Sequence, residues 1–130
     1  MSRDYQPHKN NPYILPRSLY LMTLAFIRDH HRKKEEYKAL CEKSPPPADG
    51  LPRGSATGNP TEHLGLRRME LSIAISAVED ALQSIPEEYR KGVYANIVLY
   101  QRYPDDAEPR TYRRYKAKFI YKVAKNMFWT

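Results

Sequence analysis

Seven cations crowd one short stretch near the C-terminus: Arg110, Arg113, Arg114, Lys116, Lys118, Lys122 and Lys125. No acid interrupts them between Pro109 and Met127. Guanidinium and ammonium groups at that density suit the neutralisation of phosphate. Arginine can also donate two parallel hydrogen bonds to a guanine edge, so Arg110, Arg113 and Arg114 are candidate base readers. Lys116, Lys118 and Lys122 are candidate phosphate contacts, which position a protein without reading sequence. Thr111 and Tyr112 could add a phosphate bond or a contact with a thymine methyl. Tyr112 could equally be core, because it opens the apolar pattern of the same stretch.

That pattern is the positioning element. Tyr112, Tyr115, Phe119, Val123 and Met127 recur every three or four residues, with Ile120 and Ala124 beside them. The spacing predicts one helix with an apolar face for a core and a cationic face for a polyanion. A solvated lysine-rich helix would have a similar period, but such faces usually mix signs. The three arginines also fall in the first turn and a half, where a helix N-terminus attracts phosphate.

Other candidate chemistry is thin. Asp105 and Asp106 adjoin in a turn, where they read as helix caps, and Glu87, Glu88 and Glu108 are weak partners for a nuclease metal. His30 and His31 point about 100° apart on a helix, a poor arrangement for sharing one metal ion. Cys41 lacks any cysteine/histidine metal spacing. The run Gly54-Ser55-Ala56-Thr57-Gly58 has neither the lysine nor the preceding strand of a phosphate loop. The expectation is a protein that is not an enzyme and uses no cofactor and no metal.

Composition agrees with a polyanion partner. The chain has 130 residues, a net charge of +7 and a pI near 9.5. That length suits one domain with a modest core. Eleven tyrosines stand against three phenylalanines, and tyrosine can both pack and stack on or bond to nucleic acid. A single cysteine excludes an internal disulfide framework and fits a reducing cytoplasm. No apolar run reaches membrane-spanning length, and the N-terminus lacks a signal-peptide core.

In chain order, residues 1–16 read as a flexible arm punctuated by Pro7, Pro12 and Pro16. Tyr13, Ile14 and Leu15 could dock on the body, and Arg3 and Lys9 could follow a phosphate backbone. A first helix is expected over Arg17–Lys43. Residues 44–58 form a linker, since three consecutive prolines stop the helix and glycines follow. A second helix starts with Asn59 as cap and Pro60 in its first turn. Its stripe of Leu64, Leu71, Ile75, Val78, Leu82 and Ile85 could build an antiparallel hairpin with the first helix or a homodimer seam through residues 59–85. A third helix opens at Ser84-Ile85-Pro86-Glu87, which reads as a capping box. Gly92 within it marks a close crossing. Pro104 ends it, and the basic helix follows from Pro109. Trp129 is expected to anchor the C-terminus. No stretch alternates with a strand period, so the fold class is all-α. The domain reading is 1–16 arm, 17–58 helix and linker, and 59–130 helical DNA-binding region.

The segment Ala81–Arg90, ALQSIPEEYR, resembles the opening of sigma-factor region 4 domains, which often read A-L-x-x-L-P-x-x-x-R before a helix. Ala81, Leu82, Ile85, Pro86 and Arg90 carry the match. Thr111, Arg113, Arg114 and Lys118 are similar to the recognition helix of those domains. The chain as a whole is similar to small sigma-like regulators of Gram-positive prophages, of the RinA/ArpU type. The resemblance implies a cytoplasmic transcription regulator in a bacterial host. Its partners would be double-stranded DNA and RNA polymerase, and its architecture a long helical hairpin followed by an abbreviated helix-turn-helix. Arg102–Glu108 is too short for a full insert between the two matched helices, so either the motif is abbreviated or the fourth helix is a basic core helix that imitates a reader. A small terminase-like packaging subunit and a helical protein-interaction module are the rival readings.

Overall fold

Five α-helices and no strand make up the described residues, 4–43 and 60–130, of the computed structural model. They are α1 (Arg17–Arg28), α2 (His30–Lys43), α3 (Pro60–Gln83), α4 (Glu87–Val98) and α5 (Pro109–Asn126). The all-α expectation holds. The linker reading of 44–58, the cap at Asn59 and the cation Arg3 lie outside the described residues.

The expected single helix over Arg17–Lys43 is two. Asp29 leaves helical geometry at φ −88° and ψ 3°, while its N–H still bonds Ala25 O at 3.1 Å. The break falls where the apolar stripe of α1 gives way to the charged run His30–Glu36, so no apolar face carries the helix onward. The chain divides by contact into Met1–Asp29 with Ala77–Thr130, and His30–Ser76. The end of α3 from Ala77 falls in the first unit with α4 and α5.

In the first unit α1, α4 and α5 pack on one another and on the last turns of α3. Leu24, Ile27, Val78, Ile85, Val93, Ile97, Phe119, Ile120 and Val123 form the buried centre. Each large apolar side chain removed from water stabilises the fold by about 1.5–3 kcal/mol. Tyr112 is fully buried among them, which places it in the core rather than against a thymine methyl. Gly92 marks the expected close crossing: a Cβ there would lie 2.7 Å from Tyr112 Cε1 and 2.8 Å from Pro104 Cδ.

The helix ends differ from the sequence reading. The capping box at Ser84 does not form, since Ser84 Oγ turns back to donate to Ala81 O at 2.6 Å. Arg90 completes that end of α3, its Nε donating to Leu82 O at 2.9 Å and Ile85 O at 3.0 Å. Terminal carbonyls have no partner within their helix, and a guanidinium supplies both donors and favourable charge there. Neither Asp105 nor Asp106 caps α5. Glu108 occupies the N-cap with no side-chain bond, and Asp106 instead accepts the Tyr112 hydroxyl at 2.5 Å. At the far end, Trp129 N–H bonds Ala124 O and Phe128 N–H bonds Lys125 O, closing a Schellman turn with Phe128 at φ 60°. Trp129 anchors as expected, half-buried and edge-on to Phe26 with centroids 5.0 Å apart.

In the second unit α2 and the first part of α3 are joined by charge. Arg67 grips Glu36 through Nε at 2.7 Å and Nη2 at 3.0 Å, and Arg32 adds a third bond to the same carboxylate. The Arg67 hydrogen bonds hold the Glu36 carboxyl below its usual range. Of the stripe read as a dimer seam, Leu71, Val78 and Ile85 are buried within the chain. The apolar residues α3 leaves exposed lie one face over, at Leu66, Met69 and Ile73.

Candidate nucleic-acid interface

The core packing of α5 decides which cations face outward. Tyr112, Phe119, Ile120, Val123 and Ala124 are buried along one side. Arg110, Arg113 and Arg114 are exposed at the N-terminal end, and none is paired with an acid among the described residues. Lys118 and Lys122 are half-buried, consistent with long aliphatic stems lying along the helix surface. Lys125 is exposed, its ammonium 5.9 Å from the centre of the Tyr121 ring, and the Arg114 guanidinium lies 5.2 Å from that of Tyr115. Thr111 is half-buried, its N–H bonded to Glu108 O at 3.0 Å.

Lys116 stands apart from the others. It is half-buried on the side facing α4 and donates from Nζ to Asn96 Oδ1 at 2.8 Å. Asn96 in turn donates to Gln101 O at 2.8 Å. This cation therefore supports the connection after α4.

Residues 4–16 are docked, where the sequence reads as a flexible arm. Leu15 is buried, and Gln6 bonds its backbone in both directions, each bond 2.8 Å long. Asp4 holds Arg28 at 2.7 Å, and the Arg28 hydrogen bond lowers the Asp4 pKa against the opposing effect of burial. Arg28 also donates to Ile97 O at 2.9 Å and lies over the Tyr100 ring. Tyr13 packs on Tyr121 with centroids 5.5 Å apart.

Docking of the arm builds two clefts against α5. The first, about 540 Å³, is walled by Lys9, Asn10 and Asn11 on one side and by Arg110, Arg113 and Arg114 on the other. Among the described residues no carboxylate lines it. Four cations around one concavity at a helix N-terminus make a strongly positive field for an anion. The second cleft, about 630 Å³, includes Tyr5, Tyr20 and Tyr103, the amide of Gln101, the cations Arg102 and Lys116, and one acid, Asp105. Pro7, Arg113 and Ala117 line both. Burial pushes the Tyr20 hydroxyl up to about 12 and raises Tyr103 as well, although Arg113 pulls Tyr103 back. Both hydroxyls are therefore protonated at neutral pH.

Of the sequence-level candidates, α5 gathers Arg110, Arg113 and Arg114 at the first cleft, with Lys118 and Lys122 further along. Lys9, read as a possible backbone-tracking cation of the arm, joins the arginines there. The clefts themselves had no local sequence signal, because they arise only when the arm lies on α5. Among the described residues no group of histidine, cysteine and carboxylate side chains could hold a metal ion. No described helix is long and apolar enough to cross a membrane. No protein-family model, curated protein or solved structure matches this chain.

Proposed function

We propose that the chain binds double-stranded DNA through the exposed cationic side of α5. The observation that carries this reading is the state of Arg110, Arg113 and Arg114: outward, at the start of an 18-residue helix, with no acid among the described residues paired to them. Had these guanidiniums been buried or bound to the chain's own carboxylates, the reading would have failed. Lys118, Lys122 and Lys125 extend the charge along the helix for phosphate contacts.

The finer role is a phage-type transcription regulator in the bacterial cytoplasm, and it rests on the sequence resemblance. The Ala81–Arg90 segment contributes to that resemblance, although its residues also have a structural explanation: Ala81 and Ile85 are buried and Arg90 closes the end of α3. A protein partner such as RNA polymerase is favoured by one observation, the exposed Leu66, Met69 and Ile73 of α3, each about half accessible.

The test is a duplex titration at several salt concentrations with the Arg113→Ala/Arg114→Ala double variant alongside. Real phosphate neutralisation makes log affinity fall with log salt by about 0.9 per contact. The double variant should lose about 1–3 kcal/mol for each base contact removed. Absence of duplex binding at low salt would overturn the reading in favour of a protein-interaction module.

A further inference from the structure

The tyrosine-walled cleft is not needed to grip a duplex, and its join to the arginine cleft is specific. Arg113 lines both, with the cavity of Lys9, Arg110 and Arg114 on one side and, on the other, a cavity that adds tyrosines and amides to the cations Arg102 and Lys116. A nucleotide has the same division, an anionic phosphate beside a flat base with hydrogen-bonding edges. We propose that the two clefts together form a site for one unpaired nucleotide of a single strand. The phosphate lies among Lys9, Arg110 and Arg114, and the base lies beside Tyr5 and Gln101.

The lining side chains support that assignment of ends. The cavity of about 540 Å³ sets four cations and, among the described residues, no carboxylate around an anion, whereas the cavity of about 630 Å³ sets Asp105 among Arg102, Arg113 and Lys116 and adds the tyrosines on which a base can pack. Tyr5 is 54 % exposed, so its ring is accessible for stacking. Gln101 carries an amide that can both donate and accept at a base edge. Tyr103 is already stacked on Tyr112, 5.1 Å between centroids and 11° from parallel, so it forms a fixed wall. The inference rests on the nucleic-acid reading of α5 but adds a different ligand, a base out of its pair.

The experiment compares a short oligothymidylate, a blunt duplex and thymidine monophosphate on the full chain, with thymidine and ribose 5-phosphate as half-ligands. Tyr5→Ala and Gln101→Ala should each weaken oligothymidylate binding about fivefold or more while leaving duplex affinity unchanged. Arg113→Ala should weaken both. In NMR spectra, thymidine monophosphate should shift signals of Tyr5 and Tyr103 together with those of Lys9 and Arg113. Ribose 5-phosphate should shift only the second set. The proposal is overturned if the two single variants bind oligothymidylate like the parent, or if the nucleotide leaves the tyrosine signals unmoved. Duplex binding that survives either result would keep the broader reading of α5 and sink this one alone.

Discussion

Gly92 and Tyr112 touch where α4 and α5 cross, with no room between them for a methyl group. A side chain on Gly92 would meet the ring of a fully buried tyrosine and the ring of Pro104 at once. In an open helix, Gly92→Ala would stabilise by about 1 kcal/mol. Here overpacking opposes that gain at a typical cost of about 1–3 kcal/mol, so the variant should melt at lower temperature than the parent. A melting temperature equal to or above the parent's would mean the crossing is looser than described.

Phe128 should behave in the opposite sense. It holds φ at 60° and is 92 % exposed, so it bears left-handed strain without visible packing in return. Phe128→Gly should raise stability by about 0.5–1 kcal/mol, and Phe128→Val should lower it. Chemical denaturation of the two variants beside the parent reads the difference directly.

Lys116 and Lys122 belong to one helix and should separate in assay. Lys122→Ala should weaken duplex binding by a similar factor for every sequence and reduce the salt slope by about 0.9. Lys116→Ala should leave the slope unchanged and instead loosen the Asn96–Gln101 connection, visible as faster amide exchange there.

The arm should respond to acid. Asp4 titrates below its ordinary 3.8 because Arg28 hydrogen-bonds its charged form. Its contribution is complete above that unfolded value and is lost as pH falls through the lower folded value. Contacts of Tyr13 with Tyr121 should weaken in that acid window. Asp4→Asn should remove the acid step, leaving the arm's signals unaffected by pH across it.

Alkali should act on the core. Tyr112 is raised to about 12 by burial first and by its bond to Asp106 second, and Tyr20 reaches about 12 mainly by burial. Stability associated with both is fully present below about pH 10 and declines as pH rises towards 12. Absorbance titration should find two tyrosines that ionise only at this upper limit or on unfolding.

Helix content and the two faces of α5 were legible because period and sign of charge are local properties of sequence. Pro109 and Gly92 were legible for the same reason, each having a narrow set of backbone or packing roles. The break at Asp29 was not, because charge-rich sequence carries no period to interrupt. Ser84-Ile85-Pro86-Glu87 matched a cap that the fold does not use, since the preceding helix end competes for the same serine and is further served by Arg90, six residues on. Asp106 was misread for a similar reason: only the packed structure places the Tyr112 hydroxyl beside it. The clefts were invisible because their walls are separated by about a hundred positions in the chain, between Lys9 and Arg110.

The C-terminal turn also supplies a spectroscopic handle. Trp129 is the one tryptophan of the sequence, and it lies against Phe26 inside the unit that holds α1 and α5. Its fluorescence should therefore follow the melting of that unit, while helical circular dichroism follows every helix. A gap between the two curves would measure how far the unit containing α2 unfolds on its own.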